Sequence, residues 1–163
     1  MNFSMLHMLP FIEWVKASWL GQMISGSLWL FAVIESVHLL ALAVIGGAVL
    51  IVDLRLLGLG IREQPVETIA RDAQPWFLWS WAVMIVTGVL LFASEPEKLY
   101  YSPPFFWKMT FLTVATIFAL TVRRRVVLAG EGRFSPAVLK LVAITSLTLW
   151  LGVGASGRWI GFG

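Results

Sequence analysis

The sequence contains no cysteine, and this absence excludes disulfide bonds, thiolate metal sites and thiol chemistry. Charged residues are also scarce, at 13% of the chain against about 25% in soluble domains. No basic segment or cleavage pattern precedes the first apolar run, so we expect no cleavable signal peptide. Hydrolase and nucleotide-binding fingerprints are absent, and so few charges argue against a nucleic-acid partner.

Apolar residues, by contrast, make up 59% of the 163 positions. A bilayer core takes about 20 residues of helix, and four apolar runs reach about that length. We place these spans at about 27–53, 76–94, 105–122 and 137–154. Residues 10–20 put aromatic side chains towards one side and charges towards the other, which predicts a helix lying on the membrane surface. The predicted fold is a single all-α domain, an integral membrane four-helix bundle with an N-terminal amphipathic interfacial helix.

Basic residues near the span ends predict the orientation of the chain. Eight lysines and arginines flank the first and third connections, and four lie on the opposite side. This bias places both connections in the cytoplasm and both termini outside. The basic segment RRRVVLAGEGRFSP is predicted to be a loop, and Asp53 and Arg55 are expected to form a local lock at the cytoplasmic surface.

Two ionisable residues, Glu35 and His38, lie inside the first predicted span. An ionisable group there costs about 2.5–3.5 kcal/mol or more unless it is satisfied, so both need a partner or a ligand. Residues three apart share one helix face. Lys108 at the start of the third span and Arg158 after the fourth fall in the same outer half of the membrane, and Trp150 is expected to line the same site.

His38 has the chemistry to bind haem b or copper, with Glu35 orienting it. Lys108 and Arg158 would then hold haem propionates, a quinone head group or a lipid phosphate. A b-type haem usually takes two histidines, and the chain offers only His7 besides His38, so either the N-terminal segment folds down or a second subunit contributes. The alternative is that His38 is a satisfied interior group and that the two cations simply reach the membrane surface.

Three functions remain open from these residues. The first is a redox protein that binds haem, copper or another cofactor for electron transfer. The second is an accessory or assembly subunit of a larger membrane complex. The third is a small proton-coupled or ion-coupled permease, or a channel, that works as a homo-oligomer and uses Glu35 and His38 as a relay.

Three segments carry a family resemblance: IESVHLLALAVIGGAVLIVDLRLLGLG, PPFFWKMTFL and SLTLWLGVGASGRWIGF. They resemble a family of small uncharacterised bacterial four-helix inner-membrane proteins. Their layout is also loosely similar to copper-resistance-D-type membrane domains and to four-helix b-type cytochromes, although the chain lacks the several in-span histidines of the latter. The resemblance implies a shared pattern without an established activity, made up of His38, Asp53, Arg55, Lys108, Trp150 and Arg158.

Overall fold

The computed structural model describes residues 9–60, 63–130 and 132–162, and this part of the chain is helical with no strand. Two short helices, α1 (Leu9–Ala17) and α2 (Trp19–Ser25), precede the bundle. The longer helices of the bundle are α3 (Leu28–Leu56), α4 (Val66–Ser94), α6 (Pro103–Phe118) and α8 (Pro136–Ile160). The remaining segments are α5 (Pro96–Tyr100), a π-helical turn (Ala119–Arg123) and α7 (Arg124–Leu128).

Four of these segments are long and apolar enough to cross a membrane: α3, α4, the continuous run 103–128 and α8. The predicted all-α four-helix membrane bundle is therefore confirmed. We call the end where α3 and α6 begin the terminal end, and the end with the α3–α4 and α7–α8 connections the loop end. Around the bundle, α3 packs against α4 and α8, and α6 packs against α8.

The N-terminal segment forms two helices where the sequence predicted one over residues 10–20. Ser18 adopts an extended conformation, and its hydroxyl accepts a hydrogen bond from the Gly21 amide, so it begins a second helix instead of continuing the first. Gly21 packs so closely against the end of α4 that an added Cβ would lie 2.7 Å from the Ala93 carbonyl oxygen. Both short helices are thus fixed against the terminal end, where Ile12 and Ile24 are buried.

The basic segment after the third predicted span is not a loop at its start, so that part of the prediction was wrong. The chain remains helical through the π-helical turn and α7 as far as Leu128. The reason is apolar packing, because Val126 and Val127 are buried against residues of α4 and α8. The chain leaves the helix only near Gly130, whose φ of +82° lies in the left-handed region that favours glycine. α4 likewise begins ten residues before its predicted span and carries Pro75 within it.

Candidate functional site

His38 is buried in the terminal half of α3 and faces α4. Gly88 of α4 lies directly against the imidazole, since a Cβ added there would be 3.3 Å from His38 Cε1. Any larger residue at position 88 would therefore push against the ring. The glycine lets the imidazole pack tightly onto the neighbouring helix.

A chain of hydrogen bonds determines which ring nitrogen of His38 carries the proton. The Thr87 hydroxyl donates to the Val83 carbonyl oxygen at 2.7 Å, so its oxygen is left to accept. His38 Nδ1 lies 2.9 Å from the Thr87 hydroxyl oxygen and therefore acts as the donor in this hydrogen bond. This arrangement assigns the proton to Nδ1 and leaves the Nε2 lone pair facing the bundle interior.

The partner of the Nε2 lone pair is Lys108 of α6. Its Nζ donates to His38 Nε2 over 3.1 Å, and its side chain lies along Gly157 of α8, where a Cβ would stand 3.6 Å from Nζ. No described carboxylate lies within ion-pair distance of Lys108. The site is thus a partly buried ammonium bound to a neutral imidazole, with two further N–H donors on the ammonium and no opposing charge.

The sequence-predicted residues do not all meet at this site. Glu35 is exposed on the outer surface of α3, although it lies only three residues before the buried His38. Trp150 is buried deeper in the bundle, where its ring meets Phe77 edge-on with centroids 5.6 Å apart. Arg158 is exposed near the end of α8 and stacks over the Phe162 ring. His7 lies outside the described residues.

The described residues offer little to a metal ion. No group of three or more histidine, aspartate or glutamate side chains capable of holding one occurs among them. Both ring nitrogens of His38 already have partners, so iron or copper would have to displace Lys108 from Nε2. Haem or copper binding therefore stays a prediction.

A second polar cluster lies near the loop end, where the sequence predicted a lock between Asp53 and Arg55, and the partner of Asp53 differs from that prediction. Arg123 Nε donates to Asp53 Oδ1 at 2.8 Å, and Nη2 donates to the Val49 carbonyl oxygen at 3.3 Å. Asp53 thus pairs with the π-helical turn, while Arg55 Nε, its expected partner, donates to the Gln64 carbonyl oxygen. Asp53 Oδ2 and the Ser146 hydroxyl both lack hydrogen-bond partners within the described residues, although Ser146 lies close enough to interact with the carboxylate.

The sequence separations of the two pairs indicate how the Asp53–Arg123 pair could have been predicted. His38 and Lys108 are 70 positions apart, and Asp53 and Arg123 are also 70 apart. Because α3 and the run 103–128 cross the bundle in the same direction, equal separations place both pairs in one register. The interpretation of the arginine run as a loop hid that relation.

An apolar layer separates the two polar clusters. His38 and Asp53 are fifteen residues apart on α3, or about 22 Å at 1.5 Å per residue. The side chains packed between these levels include Ile45, Met84 and Trp150. Among the described residues the clusters are therefore two distinct sites, and this conformation joins them by no polar side chain.

Among the comparisons with known proteins, only the one with protein families gave a match. No curated protein and no solved structure matches the chain. The resemblance to an uncharacterised family is supported, whereas the looser similarity to copper-resistance-D-type domains and b-type cytochromes finds no support. Residues 11–163 match the model of a family of unknown function, DUF6644, and the chain therefore belongs to that family.

Proposed function

We propose that this membrane protein binds the head group of a membrane-soluble quinone at the terminal end of the bundle, through Lys108 and His38. The observation that carries the proposal is the position of Lys108 Nζ, which lies 3.1 Å from His38 Nε2 and within ion-pair distance of no described carboxylate. Its ammonium is only partly accessible, and its described partner is a neutral imidazole. An ammonium inside a membrane is costly without compensation, so an oxygen that accepts its remaining hydrogens would stabilise the site.

The pair also matches the two redox forms of a quinone. An oxidised quinone presents carbonyl oxygens, which accept hydrogen bonds from Lys108 Nζ. A reduced quinol presents hydroxyl groups, and one of them can donate to His38 Nε2 once Lys108 Nζ has left that nitrogen. Thr87 has the positioning role, because its hydroxyl keeps the proton on Nδ1 and so keeps Nε2 an acceptor.

Burial depth favours a ligand that is dissolved in the membrane. His38 lies ten residues into α3 and Lys108 five residues into α6, or about 15 Å and 7 Å along those helices. A head group at this depth lies below the membrane surface, and its tail can remain among the lipid chains. A quinone satisfies both requirements, since its ring is polar at the oxygens and its tail is apolar.

Binding of a short-chain ubiquinone and a short-chain naphthoquinone to the purified protein tests the proposal. Lys108→Met should weaken binding roughly tenfold or more, because a hydrogen bond to a charged group is worth about 1.5–3 kcal/mol. Thr87→Val should weaken it less, because the imidazole remains but its tautomer is no longer fixed. Lys98→Met, which removes an exposed lysine from α5, is the matched control and should change nothing.

Equal affinity of wild type and Lys108→Met, or no affinity in either, would refute the proposal. An absorption spectrum and metal analysis of the same preparation distinguish the haem or copper form of the redox hypothesis. A Soret band or bound copper that is lost in His38→Gln would favour the metal form instead. The electron-transfer role predicted from the sequence would still need a partner to supply the electrons.

One observation favours a second candidate, in which the protein works within an assembly. Glu35 is exposed on α3 inside a membrane-crossing segment, where a carboxylate facing lipid is costly. A second copy or a subunit of a larger complex that covers this surface would provide a partner. We expect Glu35→Leu to change the particle mass in mild detergent if an assembly forms there, and an unchanged monomer before and after the substitution would exclude it.

A further inference from the structure

One unexplained feature at the loop end is a small cavity of about 60 Å³ between α4, the π-helical turn and α7. Arg123, Arg124 and Gln74 contribute its polar lining, and no carboxylate contributes. On this measure one water needs about 10–15 Å³, so the cavity has room for several waters or for one small ionic group. A single anionic group fits this space, with the rest of a lipid lying outside it.

The donors around this cavity are not exhausted by contacts within the protein. Asp53 and Val49 occupy Nε and Nη2 of Arg123, and Nη1 has no partner among the described residues. Arg124 is exposed, and its charge is not paired with a described carboxylate. Two arginines and a glutamine thus line a space large enough for a phosphate, whose oxygens such donors bind well.

Side chains next to the cavity indicate where an apolar tail would lie. Leu78 and Leu120 line it and are 43% and 45% exposed, so their outer surfaces face the surroundings of the bundle. On the same helix as Leu78, Trp76 and Trp79 are strongly exposed. Exposed tryptophans mark the boundary between membrane and water. The cavity therefore lies at the depth of lipid head groups, with apolar surface beside it for acyl chains.

We propose that this cavity binds the phosphate of an anionic phospholipid, with Arg124 and Gln74 as donors and the acyl chains along Leu78 and Leu120. Basic pockets between membrane-spanning helices are known to favour such lipids. A net negative lipid is preferred over a zwitterionic one because Asp53 offsets Arg123, while the charge of Arg124 is left for the ligand. This proposal is independent of quinone binding at the opposite end of the bundle.

The π-helical turn accounts for the presence of donors here. A π-helical turn inserts one extra residue into a helix and rotates the residues after it about the helix axis. In this chain the turn ends at Arg123, which reaches inward to Asp53, and Arg124 comes next at the cavity wall. Arg125, the next residue, does not line the cavity although it is also exposed and carries the same charge. A comparison of substitutions at Arg124 and Arg125 therefore distinguishes a specific lipid site from general electrostatic attraction to a charged membrane.

The test uses the purified full chain in mild detergent and native mass spectrometry with dioctanoyl phosphatidylglycerol and dioctanoyl phosphatidylcholine. We expect the wild type to retain the phosphatidylglycerol preferentially. Arg124→Gln should reduce this binding roughly tenfold, the equivalent of one charge-assisted hydrogen bond. Ala70→Leu, which fills the cavity and leaves every charge in place, should have a similar effect, whereas Arg125→Gln should have none.

Three results would overturn the proposal. An equal loss in Arg124→Gln and Arg125→Gln would show diffuse attraction, and equal retention of both lipids would show that only the chains bind. Competition by millimolar inorganic phosphate would show a site for the free anion. Thermal unfolding of each variant, monitored by tryptophan fluorescence, establishes that all are folded when lipid binding is compared.

Discussion

The Asp53–Arg123 ion pair gives the sharpest stability prediction. The Asp53 side chain is completely buried and that of Arg123 is 13% exposed, so water does little to screen the pair. Removing one partner of such a pair typically costs about 3–5 kcal/mol, because the remaining charge stays buried without compensation. We therefore expect Arg123→Leu to destabilise the protein by about that amount.

The loss of stability in Arg123→Leu can be measured as a shift in the midpoint of thermal unfolding, Tm. For a chain of this size, each kcal/mol moves Tm by roughly 2–4 °C, so the expected fall is roughly 6–20 °C. The nine tryptophans provide an intrinsic fluorescence signal for the measurement, and no thiol-reactive dye can be used because the wild type has no cysteine. Arg125→Leu, a substitution on the exposed surface of α7, is the control and should leave Tm almost unchanged.

A double substitution separates the charge effect from lost packing. Asp53→Leu combined with Arg123→Leu removes both charges, and an apolar replacement of a buried ion pair is often neutral or stabilising. The double variant should therefore recover most of the Tm that Arg123→Leu alone loses. This reasoning would be refuted if the double variant were less stable than Arg123→Leu. It would also be refuted if the Tm of Arg123→Leu lay within 2 °C of wild type, which corresponds to a loss of about 1 kcal/mol or less.

Two further predictions concern packing and orientation. An added Cβ at Gly152 would lie 2.7 Å from the Phe111 ring, so Gly152→Ala should cost about 1–3 kcal/mol in thermal unfolding. Gly154→Ala, with no atom within 4 Å of the new Cβ, should cost nothing, and equal losses in both would contradict the packing argument. The absence of cysteine allows single cysteines at Glu97 and Arg133 to report orientation through an impermeant maleimide in bacterial cells. The predicted orientation requires Glu97→Cys to react in intact cells and Arg133→Cys only after permeabilisation; the reverse pattern would invert the topology.

The fold was readable from the sequence because hydropathy and length decide it. Four apolar runs admit few arrangements other than a bundle, and a rise of 1.5 Å per residue was enough to place His38 and Lys108 in the same half. In the structure the two residues do lie at the same depth, and Lys108 Nζ donates a hydrogen bond to His38 Nε2. Thr87 was missed because a single threonine in an apolar helix carries no sequence signal of its own.

Rotation about the helix axis was harder to read than depth. Glu35 and His38 are about 60° apart around α3, and a shared face was a fair expectation from their spacing. Which of the two points inward depends on where α4 and α8 pack, and those contacts are remote in sequence. Packing against α4 and α8 buried His38 and left Glu35 outside. Trp150 is the opposite case, since it faces the bundle interior as expected but lies in the apolar layer, deeper than the site that it was expected to line.

The two polar pairs together constrain how α3 sits in the bundle. α3 packs chiefly against α4 and α8, so the run 103–128 lies diagonally across from it, and only long side chains bridge that distance. Lys108 does so at the terminal end and Arg123 at the loop end, each 70 positions from its partner. A slip of one helix along the other would break both pairs at once. A ligand that draws Lys108 away from His38 would release only the terminal end, because the buried Asp53–Arg123 pair still holds the other.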